Sequence, residues 1–448
     1  MSSFEMNEDN ERSEEELCAA FELLEVAAKE LYDFRDHYFE HHNIEDAIKR
    51  NTHIEDKLQG TMKIFEENKD CEKKCRAKYY YLKGYILNVV PTYCKEAEEL
   101  LFKAVKLDPK LIRAWNELGD CYCKKNNLQE AAHCFDKALN YEKNKVSLRN
   151  LSILMRLQPV KSSAERLKNI ELGLKYAKEA VQLDTQDGSS WAVLGNAYLS
   201  SFFGISQNPK TLQQCLSAYT QAEKDIVTRN TTDLHYNKAI MLKYEEEYLP
   251  ALEAFDRAIS LDPTWEAPEL KRRQFLNYLK EINEMVATTG KMKVKKLNQL
   301  LQTLDSKHLG PYGGGTYIST NGQKINLQHV HFNDLKPGLN EQKVVLGKVV
   351  CSVRNEDTVP FTFCLVDKIG TCVVATIYNL ADGKGVIIGH SVAIPEPYLS
   401  DIDFKYKSEE YKFRLIRIET PLILVVNGKK ANRDLQAGVQ MSLFKKFD

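Results

Sequence analysis

The sequence predicts an α-helical repeat solenoid followed by a small C-terminal β-barrel, α plus β in two domains. Three observations carry this. Trp115, Leu118, Gly119, Tyr122, Ala131, Phe135 and Ala138 stand in the spacing W-x2-L-G-x2-Y-x8-A-x3-F-x2-A, the pattern of a helix–turn–helix unit about 34 residues long. Past the turn signals Gly310-Pro311 and Gly313-Gly314-Gly315, the apolar period falls from about 3.6 to about two. The bulk is ordinary: 448 residues, 43% hydrophobic, 28% charged, net charge −1. That balance gives no global field favouring nucleic acid or membrane. No apolar run approaches the roughly 18 residues of a spanning helix.

Each element follows in order. Residues 1–16 are polar and acidic and read as a disordered tail, not a secretory signal. Residues 17–77 form a helical N-terminal region, with Leu23, Leu24, Ala27, Leu31, Phe34, Tyr38, Ile44 and Ala47 at helical spacing. The solenoid with its capping helix spans 78–287. Its first repeat (78–111) keeps Gly84, Ala97, Leu101, Ala104 and Pro109, and its second (112–145) is the best formed. Small Gly119 and Ala131 let two helices approach, and Trp115, Tyr122 and Phe135 fill the space between them. The third (146–187) is degenerate. The fourth opens on Trp191, Leu194, Gly195 and Tyr198 and carries an insertion holding Gln207-Asn208-Pro209-Lys210. The fifth (232–265) keeps Ala251, Phe255, Ala258 and Pro263, and a helix over Glu269–Met285 caps the stack. This is the signature of tetratricopeptide repeats. Such units bury their apolar faces only by stacking, and the stack makes a concave, peptide-binding groove.

Residues 288–316 form a basic linker, with Lys291, Lys293, Lys295 and Lys296 at the start of a short helix. Residues 317–430 read as a barrel with strands at Val344–Val353, Phe361–Val366, Cys372–Leu380, Ser391–Ile394 and Tyr411–Val426. Five strands in about 100 residues fit the oligonucleotide/oligosaccharide-binding fold, the OB-fold. Residues 431–448 are a tail.

Catalytic and metal chemistry finds little support. The eleven cysteines are scattered, which fits reduced thiols, not a disulfide framework. Cys71 and Cys75, and Cys121 and Cys123, lack a second pair at zinc spacing. His41-His42 lacks a neighbouring ligand. Gly313-Gly314-Gly315 is not followed by Lys-Ser/Thr. No nucleophile–base arrangement is visible, so no enzyme activity and no cofactor are expected. The barrel offers Phe361, Phe363, Tyr378, Tyr398 and Phe413 for base stacking. Acidic Glu356, Asp357, Asp401, Asp403, Glu409 and Glu410 nearly cancel its lysines, which favours core aromatics and a protein-docking module over direct DNA binding.

The chain also resembles one family, the tetratricopeptide repeat protein 5 (Strap) family. The stretches that carry this span both halves: LYDFRDHYFE (31–40), AVKLDPKLIRAWNELG (104–119), NKVSLRNLS (144–152), QNPK (207–210), DLHYNKA (233–239), KYEEEY (243–248), LDPTW (261–265), KKLNQLL (295–301), VPFTFCLVD (359–367) and ETPLILVVNGK (419–429). The resemblance implies a cytoplasmic and a nuclear role. In the cytoplasm the family reads the N-terminal Met-Arg-Glu of nascent α- and β-tubulin at the ribosome. It then recruits an adaptor and a deadenylase, and tubulin mRNA is destroyed. In the nucleus it is a stress-responsive coactivator bridging a histone acetyltransferase and transcription factors.

The resemblance also assigns residues. Asp233 matches a ligand-binding aspartate; by position alone it lines the groove or caps a helix after Thr231-Thr232. Arg156 matches an arginine that pairs with the acidic side of the peptide. By spacing it sits nearer the packing face, where a one-residue slip would turn it into the groove, or it snorkels as a structural arginine. Asn150, about one and a half turns earlier, is placed to clamp a peptide backbone. The family's groove glutamate falls on Ala267 here; either Glu266, one residue early, replaces it through a small shift, or Asp233 carries the contact to the peptide arginine alone. Lys293 and Lys295 match lysines that touch the ribosome surface, including its RNA; without the family they read as a solvated helix face. A chaperone adaptor would need lysine and asparagine at repeat positions five and nine. The second repeat has Asn116 and Asp120 instead.

Overall fold

A computed structural model describes residues 13–314, 316–318, 324–357 and 359–437. The expected tails therefore fall mainly outside the described residues, at 1–12 and 438–448. The architecture is the one the sequence predicts: helical repeats, then a curled β-sheet of OB type. The chain divides into two compact units. One holds residues up to 202 with 207–238 and 257–265; the other holds 203–206, 239–256 and 266 onward.

The N-terminal region contains α1 (Glu14–Asp36), the short α2 (Tyr38–His41), α3 (Arg50–Glu67) and the short α4 (Cys71–Lys74). A capping box sets the start of α1: Glu16 N–H donates to Ser13 Oγ, and the Glu16 carboxylate accepts from Ser13 N–H. Phe21, Leu24, Ala28 and Leu31 are buried in one cluster with Leu82, Ile86 and Leu101. Leu23, expected on that face, is exposed.

Five helix pairs follow. They are α5 (Arg76–Leu87) with α6 (Lys95–Leu107), α7 (Ile112–Lys124) with α8 (Leu128–Tyr141), α9 (Lys145–Leu157) with α10 (Ser163–Leu183), α11 (Gly188–Ser201) with α12 (Pro209–Ala222), and α13 (Thr232–Tyr244) with α14 (Tyr248–Leu261). Gly119 shows why the motif needs glycine. A Cβ there would lie 2.6 Å from the Phe135 ring, so any side chain would force the pair apart. Phe135 is fully buried. Deleting its ring is expected to cost about 3–5 kcal/mol.

The second unit is built from α15 (Glu266–Ala287), α16 (Val294–Gln302), residues 239–256 and the sheet. Its six longer strands are β1 (Lys343–Val353), β2 (Phe361–Val366), β3 (Cys372–Ile377), β4 (Ser391–Pro395), β5 (Tyr398–Tyr406) and β6 (Glu409–Ile418). They lie in the order β4-β1-β2-β3-β6-β5. All neighbours are antiparallel except β3 and β6, which run parallel with Leu415 opposite Val374. Val349, Phe363, Leu365, Val373, Ile394 and Ile416 fill the inside of the curl.

Two strand expectations are corrected. β5 was not foreseen, because its solvent face is charged at Asp401, Asp403 and Lys405. It pairs with β6 along Tyr398–Tyr406. The strand expected over Tyr411–Val426 ends at Ile418, where Thr420 and Pro421 open a 3-10 turn over Pro421–Ile423.

The opposite face of β2 and β3 is not left to solvent. Tyr278 of α15 hydrogen-bonds Thr362 at 2.8 Å. Glu246, in the turn between α13 and α14, is buried with left-handed backbone (φ 65). Its carboxylate accepts from Thr376 Oγ1 at 2.8 Å and Tyr378 OH at 2.9 Å, with Arg417 Nη1 at 3.6 Å. Arg417 also donates to Tyr244 O at 2.8 Å and lies 4.1 Å over the Tyr378 ring. Lys243 and Lys271 converge on Asp357 at 2.5 and 2.7 Å. The stretch KYEEEY is thus an anchoring turn for the sheet.

Candidate functional site

In the first unit, the repeats α9 to α13 assemble a polar site. Arg156 lies in the last turn of α9, half-buried, and donates to Ser152 Oγ at 3.0 Å. Ser152 is the small residue against which Gly173 of α10 packs; this fixes the register of the degenerate repeat. Burial holds the Arg156 guanidinium down to about 10, opposed by nearby Tyr219 and Asp233. Asp233, in the first turn of α13, has the complementary environment. Burial pushes its carboxyl up, while backbone N–H groups of Asp233 and Leu234, then His235 and Arg156, pull it down. Asp233 is nonetheless exposed to solvent.

Arg156 and Asp233 are close enough to feel each other's charge, but no ion pair within 4 Å joins them among the described residues. Each keeps hydrogen-bonding capacity for a third group. Tyr219, which senses both charges, belongs to a network that sequence reasoning missed. Tyr219 OH donates to Asn196 Oδ1 at 2.7 Å, and Asn237 Nδ2 donates to the same oxygen at 3.0 Å. Both partners are donors, so the Asn196 amide nitrogen is its uncommitted end. The signal was an asparagine directly after Gly195, one residue past the close helix crossing. Asn150 is half-buried in α9, and its side chain makes no hydrogen bond to a described residue.

The remaining predicted residues lie in the second unit. Glu266 is the first residue of α15, exposed and without an ion pair among the described residues. Lys293 stands at the N-cap of α16 and its side chain makes no capping bond. Lys293 and Lys295 are exposed and without a carboxylate partner, whereas Lys291 pairs with Glu284 at 2.8 Å. Of the barrel aromatics, Phe363, Tyr378 and Phe413 are buried and Tyr398 is exposed. Asp403 and Asp401 pair with Lys412 and Arg414, which disperses basic charge on that face. No helix among the described residues is long and apolar enough to cross a membrane. Among them, too, no group of three or more His, Cys, Asp or Glu is placed to hold a metal ion.

A second carboxylate in the first unit is unusual. Asn88 Nδ2 bridges Glu117 Oε2 at 3.0 Å and Asp120 Oδ2 at 2.9 Å. Burial, then the Asp120 charge, pushes Glu117 up to about 7, against Asn88, Lys124 and Arg35. The folded state therefore holds a proton that the unfolded chain releases from an ordinary carboxyl at 4.5. Stability from this group is full below about pH 4.5 and lost as pH rises towards about 7. Glu117→Gln should flatten that slope. Denaturant melts of both proteins at pH 5 and pH 8 check this: the variant should gain on wild type only at pH 8.

Residues 326–440 match the family model described as Tetratricopeptide repeat protein 5 OB fold domain, and residues 112–145 match a tetratricopeptide repeat. Tetratricopeptide repeat protein 5 of Mus musculus is 45% identical over 430 residues, covering 96% of this chain and 98% of the mouse protein. The Homo sapiens protein of that name is 44% identical over 425 residues, covering 95% and 96%. Among solved structures, YrrB, a TPR protein with an unusual peptide-binding site, is 22% identical and covers 46% of this chain and 97% of its own, with a TM-score of 0.31.

Proposed function

The chain belongs to the tetratricopeptide repeat protein 5 family, and on that premise we propose that it is a non-enzymatic adaptor reading the N-terminal Met-Arg-Glu of nascent tubulin at the ribosome. Repeat proteins of this kind are binding scaffolds. The observation that carries the finer reading is the enclosed, mutually unpaired pair Arg156 and Asp233. A peptide presenting Arg then Glu offers each its complement. The peptide arginine can give paired N–H donors to the Asp233 carboxylate, and the peptide glutamate can accept from Arg156. Asn150 and the Asn196 amide would clamp main-chain carbonyls. Such binding opens the route to tubulin mRNA decay through an adaptor and a deadenylase.

A short peptide buries little surface, so the groove alone binds modestly. Exposed Lys293 and Lys295 supply a second contact to ribosomal phosphates, and the linkage raises the effective concentration of the peptide. The test is capture of translating ribosomes that display tubulin N-terminal chains, run beside binding of the free peptide. Lys293→Glu with Lys295→Glu should lower ribosome capture at least tenfold and leave free-peptide affinity within about twofold. Equal loss in both assays would sink the two-contact scheme. Raising salt from 50 to 200 mM should weaken ribosome capture by wild type more than by the double variant.

A further inference from the structure

Three cysteines of the second unit meet on one face of the sheet. Val349 faces Leu365 inside the curl, and the next paired residues are Cys351 and Cys364. The skipped residue, Val350, is a β-bulge. Without it Cys351 would point inward like Val349; the bulge re-aims it to the other face. That face carries Thr362 and Cys364 of β2, two residues apart, and is covered by Tyr278 of α15. Cys372 opens β3, paired with Val366, so it is a diagonal neighbour of Cys364. The Cys364 thiol senses both other thiols electrostatically. The backbone of Gly290 (φ 69), flanked by left-handed Thr289 and Lys291, lies directly on Cys351: a Cβ at Gly290 would be 3.2 Å from its Sγ.

We propose that Cys351 and Cys364 form a peroxide-responsive site that closes to a cross-strand disulfide, with Cys372 as a bystander. Geometry selects the pair. Directly opposed residues on antiparallel strands have Cα atoms about 4.5–5.5 Å apart, within the roughly 4.4–6.8 Å a disulfide spans. A diagonal pair is about 7–8 Å apart, too far without backbone movement. Order of reaction follows from access and charge. Cys351 keeps 7% exposure and Cys364 none. The interaction between the two thiols lowers that of Cys351 and raises that of Cys364. Cys351 is therefore the nucleophile and Cys364 the resolving thiol.

The Cys351 thiolate attacks hydrogen peroxide; an S–O bond forms, the O–O bond breaks, and hydroxide leaves to become water. Cys364 sulfur then attacks the sulfenic sulfur; the S–S bond forms, the S–O bond breaks, and hydroxide departs with the Cys364 proton as a second water. Two thiols are oxidised by two electrons and one peroxide is reduced to two waters.

The test uses the full chain, reduced and then exposed to hydrogen peroxide under native conditions. Remaining thiols are alkylated and the peptides mapped by mass spectrometry. The expected product is a Cys351–Cys364 cross-link that survives in Cys372→Ser. It should be absent in Cys364→Ser, where Cys351 is trapped instead as the dimedone adduct of its sulfenic acid. Full alkylation of both cysteines in oxidised wild type, or a cross-link through Cys372, overturns the proposal. The wild-type map decides even if a serine variant fails to fold.

Discussion

Asp233→Ala and Arg156→Ala should each abolish capture of ribosomes displaying a nascent chain that begins Met-Arg-Glu, while ribosomes displaying a scrambled start remain uncaptured by every protein. The magnitude follows from the enclosed setting. Removing one partner of a desolvated charged pair costs about 2–4 kcal/mol, because the other charge is left in the groove without its complement. At about 1.4 kcal/mol per decade this is roughly 30- to 1000-fold in affinity. The two losses should not add fully. Both residues hold one peptide and sense each other's field, so the double variant should fall short of the summed singles. Free-peptide titration by fluorescence anisotropy reads the effect without the ribosome. Normal capture by both single variants would remove the groove assignment. Loss from Asp233→Ala alone would leave Arg156 a structural arginine bound to Ser152.

Glu246→Ala should give the largest loss of stability in the second unit. Its carboxylate is the shared acceptor for Thr376 and Tyr378 and lies beside Arg417. Removing it leaves the buried Thr376 hydroxyl without its acceptor and takes the most buried carboxylate from Arg417, which keeps only Glu245, Glu419 and Tyr244 O, and the loss costs about 3 kcal/mol. For a unit of this size that corresponds to a melting shift of about 10 °C. Glu246→Gln keeps an acceptor for the two hydroxyls and should cost about half as much. Differential scanning calorimetry separates the outcomes. An unchanged transition in Glu246→Ala would mean that Arg417 finds full compensation through Glu245, Glu419, Tyr244 O and the Tyr378 ring.

The residues that form regular structure were the most legible. The second repeat declared itself because Gly119, Ala131 and Phe135 answer one steric requirement, and the fold meets it at the contact between Gly119 and the Phe135 ring. β1 to β4 were visible because their apolar residues run nearly unbroken. β5 was not, since alternating charge on a solvent face resembles a loop. Position alone left Asp233 and Arg156 ambiguous and only the family resemblance singled them out; the register at Ser152 and Gly173 was needed to bring Arg156 within reach of the charges of Tyr219 and Asp233. Asn196, Tyr219 and Asn237 come from three helices, so no local pattern announces their network. KYEEEY stood in the sequence only as one of the stretches shared with the family, and burial of Glu246 is invisible until the sheet that covers it is in place.

The sequence by itself determined the repeat class, the change from helical to strand period, and the family. These depend on spacings within one helix pair or one strand, which are local and carried by size and polarity. Tertiary structure decided which charges stay unpaired, which acidic residues are buried, and which thiols meet. Those depend on distances between residues far apart in the chain. Electrostatic energy and thiol chemistry both fall off within a few ångströms, so only the packed arrangement of helices and strands can set them.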